Sequence, residues 1–348
     1  MGIKSSISRL ADKKDLSFQE AKSVFEDIFE DKTEETQIAA FLTALKIKQE
    51  TEAELLAAVE VVRARSKKIN SRDRFLGITD KDDCLFDTCG TGGSGVNKFN
   101  ISTAVAFVVS SSGVKVAKHG NKAMSSNCGS ADVLESLGVN ILADSSVMES
   151  AIKDIGIGFL YAPMYHSALA KVAKIRRDLG IRTIFNILGP LCSPAELTHQ
   201  LLGVYSRSFV PIVARVLKRL GIRSAFVVYS EDLKDEISLN APTFVAYLKG
   251  KTIKNITLRA SDFGLKPLKI KDLEVKNAKE SARVIQEIFK GVKGPKRDIV
   301  LANAASCFYI LGRVESLKAG VVLASDLIDS GKVMKQVNNF KKFVKTNA

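Results

Sequence analysis

Near residue 73 the spacing of apolar residues in this chain changes period, and that change limits the folds open to it. Upstream, apolar side chains recur at helical spacing: Val24, Phe25, Ile28 and Phe29, then Ile38, Phe41, Leu42 and Leu45, then Leu55, Leu56, Val59 and Val62. Two of these runs open on capping boxes, Ser17-Phe-Gln-Glu20 and Thr51-Glu-Ala-Glu54. In each, the hydroxyl can accept from the amide three residues on while the glutamate reaches back. Downstream, short apolar runs alternate with helical stretches: Leu85-Phe86, Val114-Lys-Val-Ala117, Phe159-Leu-Tyr161, Leu201-Leu-Gly-Val-Tyr205 and Ala225-Phe-Val-Val-Tyr229. The alternation predicts an α/β fold in which a mostly parallel central sheet is flanked by helices, behind a small N-terminal helical domain. The expected division is 1–73 for the helical domain and 74–348 for the large α/β domain. Residues 164–190 read as two helices, Tyr165 to Leu179 and Arg182 to Leu188, closed by Gly189-Pro190. Such an insertion is expected to complete the small domain. Residues 243–258 read as a hairpin turning at Lys249-Gly250.

Composition narrows the function classes. No apolar run approaches the roughly 18 residues of a membrane span, and the charged start, Met1 to Lys14, has no apolar segment behind it. Five cysteines, an odd number with no Cys-x-x-Cys spacing, argue against a disulfide framework and a structural zinc site, so a reducing, cytoplasmic setting is expected. The net charge is +14, from 52 Lys and Arg against 38 Asp and Glu. Such a balance suits nucleic acid, anionic lipid or a phosphorylated small substrate. Because the basic residues are dispersed and Trp is absent, a nucleic-acid surface is disfavoured.

The densest chemical signal is Asp87-Thr-Cys-Gly-Thr-Gly-Gly-Ser-Gly95, followed by Asn100-Ile-Ser-Thr103 at a helix start. Gly90, Gly92 and Gly95 satisfy G-x-G-x-x-G in form. A dinucleotide site also needs an acid at the end of the next strand for the ribose hydroxyl, and the chain has Lys115-Val-Ala-Lys118-His119 there. The NAD reading therefore falls. Glycines still let backbone amides approach an anion, and Ser102 and Thr103 add hydroxyls and helix N-terminal amides, which points to phosphate or pyrophosphate. Lys118-His-Gly-Asn121-Lys122, Ser126 and Gly129-Ser130 then deliver a cation, an imidazole, an amide and hydroxyls within a short stretch at a strand end. Tyr165-His166 precedes Arg176 and Arg182, either of which can grip a carboxylate in a bidentate fork. Asp235-Glu236, weak alone, suits a hard cation such as Mg²⁺ once a phosphate-type loop is present.

Taken in order, these stretches resemble the anthranilate phosphoribosyltransferases of tryptophan biosynthesis. The matching residues are Gly90-Thr-Gly-Gly93, Asn100-x-Ser-Thr103, Lys118-His-Gly-Asn121, Gly129-Ser-Ala-Asp-Val-Leu-Glu135 and Ala162-Pro-x-Tyr-His166. They continue through Arg176-x-x-Leu-Gly-x-Arg-Thr-x-x-Asn-x-Leu-Gly-Pro190, Asp235-Glu236, and Gly294-Pro-x-Arg-Asp298 with Asn303-Ala-Ala305. The resemblance implies a Mg²⁺-dependent homodimer that joins anthranilate to C1′ of 5-phosphoribosyl-1-pyrophosphate with release of pyrophosphate. It places Gly90, Gly93, Ser94, Lys98, Asn100, Ser102, Thr103, Lys118, Ser126 and Ser130 on the phosphoribosyl substrate. Anthranilate falls to Gly90, His119, Asn121, His166 and Arg176, with the arginine toward its carboxylate, and the metal ions fall to Ser102, Asp235 and Glu236. No general base is assigned, and His119 is a candidate by position alone.

Two positions depart from the family pattern. Ser94 stands where Asp is usual in Gly-Thr-Gly-Gly-Asp, removing a carboxylate beside the pyrophosphate and metals. Lys122 stands where Arg is usual, keeping the charge but losing the fork. The rival readings are a pyrimidine nucleoside phosphorylase-like enzyme and a non-catalytic nucleic-acid-binding relative of the same fold. The intact Lys118-His119-Gly120-Asn121, Arg176 and Asp235-Glu236 favour the transferase.

Overall fold

The computed structural model describes residues 2–69, 84–93, 95–123 and 128–348. Ser94, Ser126 and the expected boundary at residue 73 lie outside the described residues. In chain order the elements begin with α1 (Ile3–Ala11), α2 (Phe18–Phe29), α3 (Glu35–Lys48) and α4 (Glu52–Ala64). There follow β1 (Leu85–Gly90), α5 (Ile101–Ser110), β2 (Lys115–Gly120), α6 (Ser130–Ser136), α7 (Ser145–Ile155) and β3 (Ile157–Tyr161). Next are α8 (Ala162–Tyr165), α9 (Ala170–Leu179), α10 (Phe185–Leu191), β4 (His199–Gly203), α11 (Phe209–Arg219) and β5 (Ser224–Ser230). The chain ends with β6 (Thr243–Lys249), β7 (Thr252–Leu258), α12 (Ala278–Phe289), α13 (Pro295–Ile310), α14 (Leu317–Asp329) and α15 (Lys332–Asn347). None of the described helices is long and apolar enough to cross a membrane.

Two compact units emerge: residues 1–68 with 162–194, and residues 69–161 with 195–348. In the first, both capping boxes form, with the Glu20 amide donating to the Ser17 hydroxyl and the Glu54 amide to the Thr51 hydroxyl. Glu54 is fully buried and does more than cap: one oxygen accepts from the Leu16 amide at 2.9 Å and the other from Lys48 Nζ at 2.8 Å. Phe25 packs edge-on against Phe41 and Phe185, and Phe29 also meets Phe185 edge-on. The late segment thus shares the core of the early helices.

The 162–194 segment differs in detail from its sequence pattern. The expected first helix is interrupted, because His166 leaves helical geometry (φ −122°, ψ 55°) and a 3₁₀ turn, Ser167–Leu169, intervenes before α9. The second helix starts later than expected, at Phe185, because Asn186 Oδ1 accepts from the Thr183 amide and holds the preceding residues as a turn. It also runs through Gly189-Pro190 to Leu191. In so short a helix proline forfeits one internal hydrogen bond at most.

The second unit carries the expected sheet. Among the described residues seven strands lie in the order β3-β2-β1-β4-β5-β6-β7, with β1 to β5 parallel and β6 and β7 antiparallel. The β6–β7 hairpin turns through Gly250 at φ +57°, a left-handed conformation that glycine adopts freely. Nine of the ten α5 residues are buried, which explains why that helix is apolar all round. Phe107 on α5 meets Phe289 and Phe340 within about 6.2 Å to form the core of one face.

Candidate active site

The strand order reverses between β1 and β4, and in open α/β sheets the crevice at such a switch, outside the carboxyl ends of the strands, is where ligands bind. Here β1, β2 and β4 all end in glycine, at Gly90, Gly120 and Gly203, and Gly90 lies in register with Gly203. A Cβ on Gly90 would stand 2.5 Å from Asp235 Oδ2, one on Gly120 2.1 Å from Ser130 Oγ, and one on Gly203 1.8 Å from the Asp235 carbonyl oxygen. Gly90 and Gly203 let the loop after β5 close onto the ends of β1 and β4, and Gly120 does the same for the start of α6 at the end of β2.

The loop after β1 is anchored at its start. The Thr91 amide donates to the Gly203 carbonyl at 2.9 Å, and the Gly92 amide donates to Asp235 Oδ2 at 2.7 Å. Gly92 and Gly93 take φ values of +71° and +77°, which side chains resist. At the start of α5, Asn100 Oδ1 caps the helix by accepting from the Thr103 amide at 3.0 Å, and the Ser102 hydroxyl donates to the same oxygen at 3.3 Å. The Asn100 amide in turn donates to Ser281 Oγ of α12. Lys118, buried at the end of β2, donates to the Thr88 carbonyl at 2.8 Å and to Ser102 Oγ at 3.3 Å. A cation, a hydroxyl and a capped helix N-terminus therefore meet at one place, an arrangement suited to phosphate. Asp87 lies fully buried below. Burial pushes its carboxyl up to about 6, against the pull of Lys118.

Asp235 and Glu236 come from a tight loop after β5. Ser230 and Lys234 exchange both backbone hydrogen bonds, at 2.8 and 3.0 Å, and Lys234 takes φ +57°. Ser230 Oγ donates to the Glu236 carbonyl, and Asn303 of α13 clamps Ile237 by accepting from its amide and donating to its carbonyl, both at 3.2 Å. Asp235 thus receives Gly92 on one oxygen, and on the other it receives Lys98 Nζ at 2.8 Å. The Lys98 ammonium also stands 3.8 Å from Glu236 Oε1. Burial works to lower Lys98, but the Asp235 and Glu236 carboxylates outweigh it and hold the ammonium above its ordinary range. For Glu236 burial dominates and raises the carboxyl, Lys98 notwithstanding.

Among the described residues, no group of three or more His, Cys, Asp or Glu side chains is placed to hold a metal ion unaided. Two hard carboxylates on adjacent residues, Asp235 and Glu236, do fit a divalent ion that draws its remaining ligands from water and substrate phosphates.

The loop after β2 is closed by Asp132, whose Oδ2 accepts from the Ala123 and Gly129 amides at 2.8 and 3.0 Å. The Asn121 carbonyl accepts from the Ala131 amide and Ser130 Oγ, while His119 is buried and Asn121 exposed. Lys122 makes a surface ion pair with Glu135 at 3.0 Å. His166 and Arg176 belong to the first unit. His166 Nδ1 and Ser66 Oγ are 2.8 Å apart, and burial lowers this imidazole to about 4, so it is neutral near pH 7. Arg176 stands over the Phe185 ring at 5.6 Å, its half-buried guanidinium lowered by that burial.

Within the second unit the structure places Gly90, Gly93, Lys98, Asn100, Ser102, Thr103, Lys118, Ser130, Asp235 and Glu236 at the carboxyl ends of the strands, in the loops that follow them or at the starts of α5 and α6. Two further supports, Gly203 and Ser230, escape motif reasoning, and Asn303, part of a matched motif, gains its role only from its contact with Ile237. Gly203 had a visible signal, a glycine inside the otherwise apolar β4 run, which marks close backbone approach.

Comparison with known proteins agrees along the whole chain. The family model described as "Glycosyl transferase family, a/b domain" matches residues 82–334, and "Glycosyl transferase family, helical bundle domain" matches residues 4–66. The chain is 46% identical over 341 residues to an anthranilate phosphoribosyltransferase of Geobacter sp. (strain M21), spanning 96% of this chain and 97% of that one. Its structure is similar to that of the anthranilate phosphoribosyltransferase from Thermus thermophilus, with TM-score 0.89, 33% identity, and coverage of 98% and 99% of the two chains. It is also similar to the Saccharomyces cerevisiae anthranilate phosphoribosyltransferase in complex with PRPP and Mg, with TM-score 0.88, 28% identity, and coverage of 99% and 98%. With the helical bundle and the α/β domain both matched and the identity sustained nearly end to end, the chain belongs to the anthranilate phosphoribosyltransferase family.

Proposed function

We propose that this chain transfers the phosphoribosyl group of 5-phosphoribosyl-1-pyrophosphate to the amino group of anthranilate, releasing pyrophosphate, and that it uses Mg²⁺ to do so. The observation that carries the reading is the junction of β1, β2 and α5, where Lys118, Ser102 and the Asn100-capped helix start converge on one place. Gly90, Gly93, Lys98, Asn100, Ser102, Thr103, Lys118 and Ser130 take the phosphoribosyl substrate, joined in the motif match by Ser94 and Ser126. Asp235 and Glu236, with Ser102, would hold Mg²⁺, which when bound neutralises charge on the departing pyrophosphate.

Displacement at an anomeric carbon builds positive charge on the ribose and negative charge on the leaving group. Lys118 and the amides at the start of α5 absorb the second, and they are fixed before the reaction by the Thr88 carbonyl and the Asn100 cap. An aromatic amine is scarcely protonated near neutral pH, so its lone pair is available without prior deprotonation. The proton leaves only as the new C–N bond forms. His119, Asn121, His166 and Arg176 are assigned to the acceptor by the motif match, with Arg176 for its carboxylate. His166 is neutral near pH 7, which suits it to orient the acceptor and leaves the cationic role to Arg176. The homodimer implied by the resemblance and the cytoplasmic setting expected from the cysteine pattern belong to the same proposal, and sedimentation of the purified chain tests the dimer.

The decisive experiment follows the loss of anthranilate fluorescence on mixing protein, phosphoribosyl pyrophosphate and Mg²⁺, with Arg176→Ala beside the wild type. A decay that requires every component and is slowed at least about 100-fold by the substitution supports the reading. A flat trace from folded protein across a Mg²⁺ titration refutes it.

A further inference from the structure

Lys98 sits in a short extended stretch pinned from both sides. The Phe99 amide donates to the Leu273 carbonyl at 3.1 Å, the Val275 amide donates to the Asn97 carbonyl at 2.7 Å, and Lys98 bridges Glu274 in antiparallel fashion. Successive side chains of an extended segment point to opposite faces. Phe99 is wholly buried on one face, and Lys98 is delivered to the other, where it meets the acidic loop. Its ammonium binds Asp235 Oδ1 at 2.8 Å and the Leu233 carbonyl at 3.2 Å, and lies 3.8 Å from Glu236 Oε1. Its side chain is only 12% exposed. These oxygens are ones a hard divalent ion would seek, and a cation already holds them. An ammonium and a divalent ion repel strongly at such separations.

We propose that Lys98 is a tethered cation that occupies the Asp235–Glu236 carboxylates until a divalent ion displaces it. The ion therefore binds the free protein weakly, and binds well only with a pyrophosphate-bearing substrate that accepts the released ammonium. This rests on reading Asp235 and Glu236 as the metal carboxylates. Until displacement, Lys98 keeps a buried acidic pair compensated and the loop in place. Afterwards its charge serves the substrate's phosphates, so one side chain acts at both stages.

The test is calorimetric titration of MnCl₂ into wild type, Lys98→Met, Lys98→Arg and Asp235→Asn. Each is titrated with and without phosphoribosyl pyrophosphate, in the absence of anthranilate and corrected for chelation by free substrate. Lys98→Met is expected to bind the ion alone at least about tenfold more tightly than wild type and to gain less from substrate, since a tethered opposing charge has been removed. Lys98→Arg, which keeps the charge, should resemble wild type. Unchanged or weaker binding in Lys98→Met overturns the proposal. So does wild-type protein that binds the ion equally well with and without substrate, a result that stands even if Lys98→Met does not fold. If wild type takes up no ion even with substrate, or Asp235→Asn binds it undiminished, the metal assignment itself falls. That outcome is distinct from failure of the lysine's role.

Discussion

Replacing Gly203 by alanine tests whether close backbone approach at the end of β4 is what seats the acidic loop. The added methyl would stand 1.8 Å from the Asp235 carbonyl oxygen and 2.4 Å from its carbon, both main-chain atoms. A relaxed carbon–oxygen approach is about 3.3 Å or more, so the main chain at Asp235 must retreat by about 1.5 Å. The retreat pulls against the paired Ser230–Lys234 turn and the Asn303 clamp. Strain of this kind costs about 1–3 kcal/mol of stability. Misplacing reacting groups by about 1 Å costs about 100-fold in rate, so kcat/KM should fall by at least that factor. Gly90→Ala is the discriminating control. Its methyl meets the Asp235 carboxylate tip at 2.5 Å, and a side chain can turn where backbone cannot, so its stability loss should be the smaller of the two. Urea unfolding and initial rates on both variants provide the assay. A Gly203→Ala protein with wild-type kcat/KM, or one more stable than Gly90→Ala, would refute the reasoning.

The other predictions concern charge. Asp87 carries a carboxyl raised from 3.8 to about 6 by burial. Its favourable protonated form is therefore fully present below the unfolded value and lost as pH climbs through the folded one. Asp87→Asn, which cannot ionise, should gain on wild type between pH 4 and 6 by up to about 3 kcal/mol and level off above, and urea midpoints that shift in parallel across that range would contradict the burial argument. Arg297, only 3% exposed, grips Asp329 with two nitrogens at 2.6 and 2.7 Å and also donates to Ser325 and the Gly291 carbonyl. Arg297→Ala should cost about 2 kcal/mol by denaturant titration, since one partner is half-exposed and can rehydrate.

What the sequence discloses is what depends on near neighbours along the chain. The Ser17 and Thr51 capping boxes, the glycine loop after β1, the Asn100 cap and the hairpin at Gly250 are set by residues within a few positions of one another, and all form. Alternating strands and helices likewise dictate a parallel sheet. Less accessible are features that need register between distant strands. Nothing local reveals that Gly203 abuts Asp235, that Asn303 fastens Ile237 from 66 residues away, or that pairing with Leu273–Val275 turns Lys98 toward the acidic pair. The late start of α10 is a case of competition, in which the Asn186 side chain holds Thr183 as a turn where apolar spacing alone reads helix.

The division of the first unit into two chain segments also sets a schedule for its birth. Phe25 and Phe29 are made early, but their edge-on partner Phe185 arrives only after β1 through β3 of the second unit have been translated. At about 5–20 residues per second, the 126 residues from Lys68 to Pro194 keep the amino-terminal helices waiting for roughly 6–25 s with an apolar flank uncovered. That interval, longer than the folding time of most small helical bundles, is when a chaperone or an errant nascent chain has its best access to the protein.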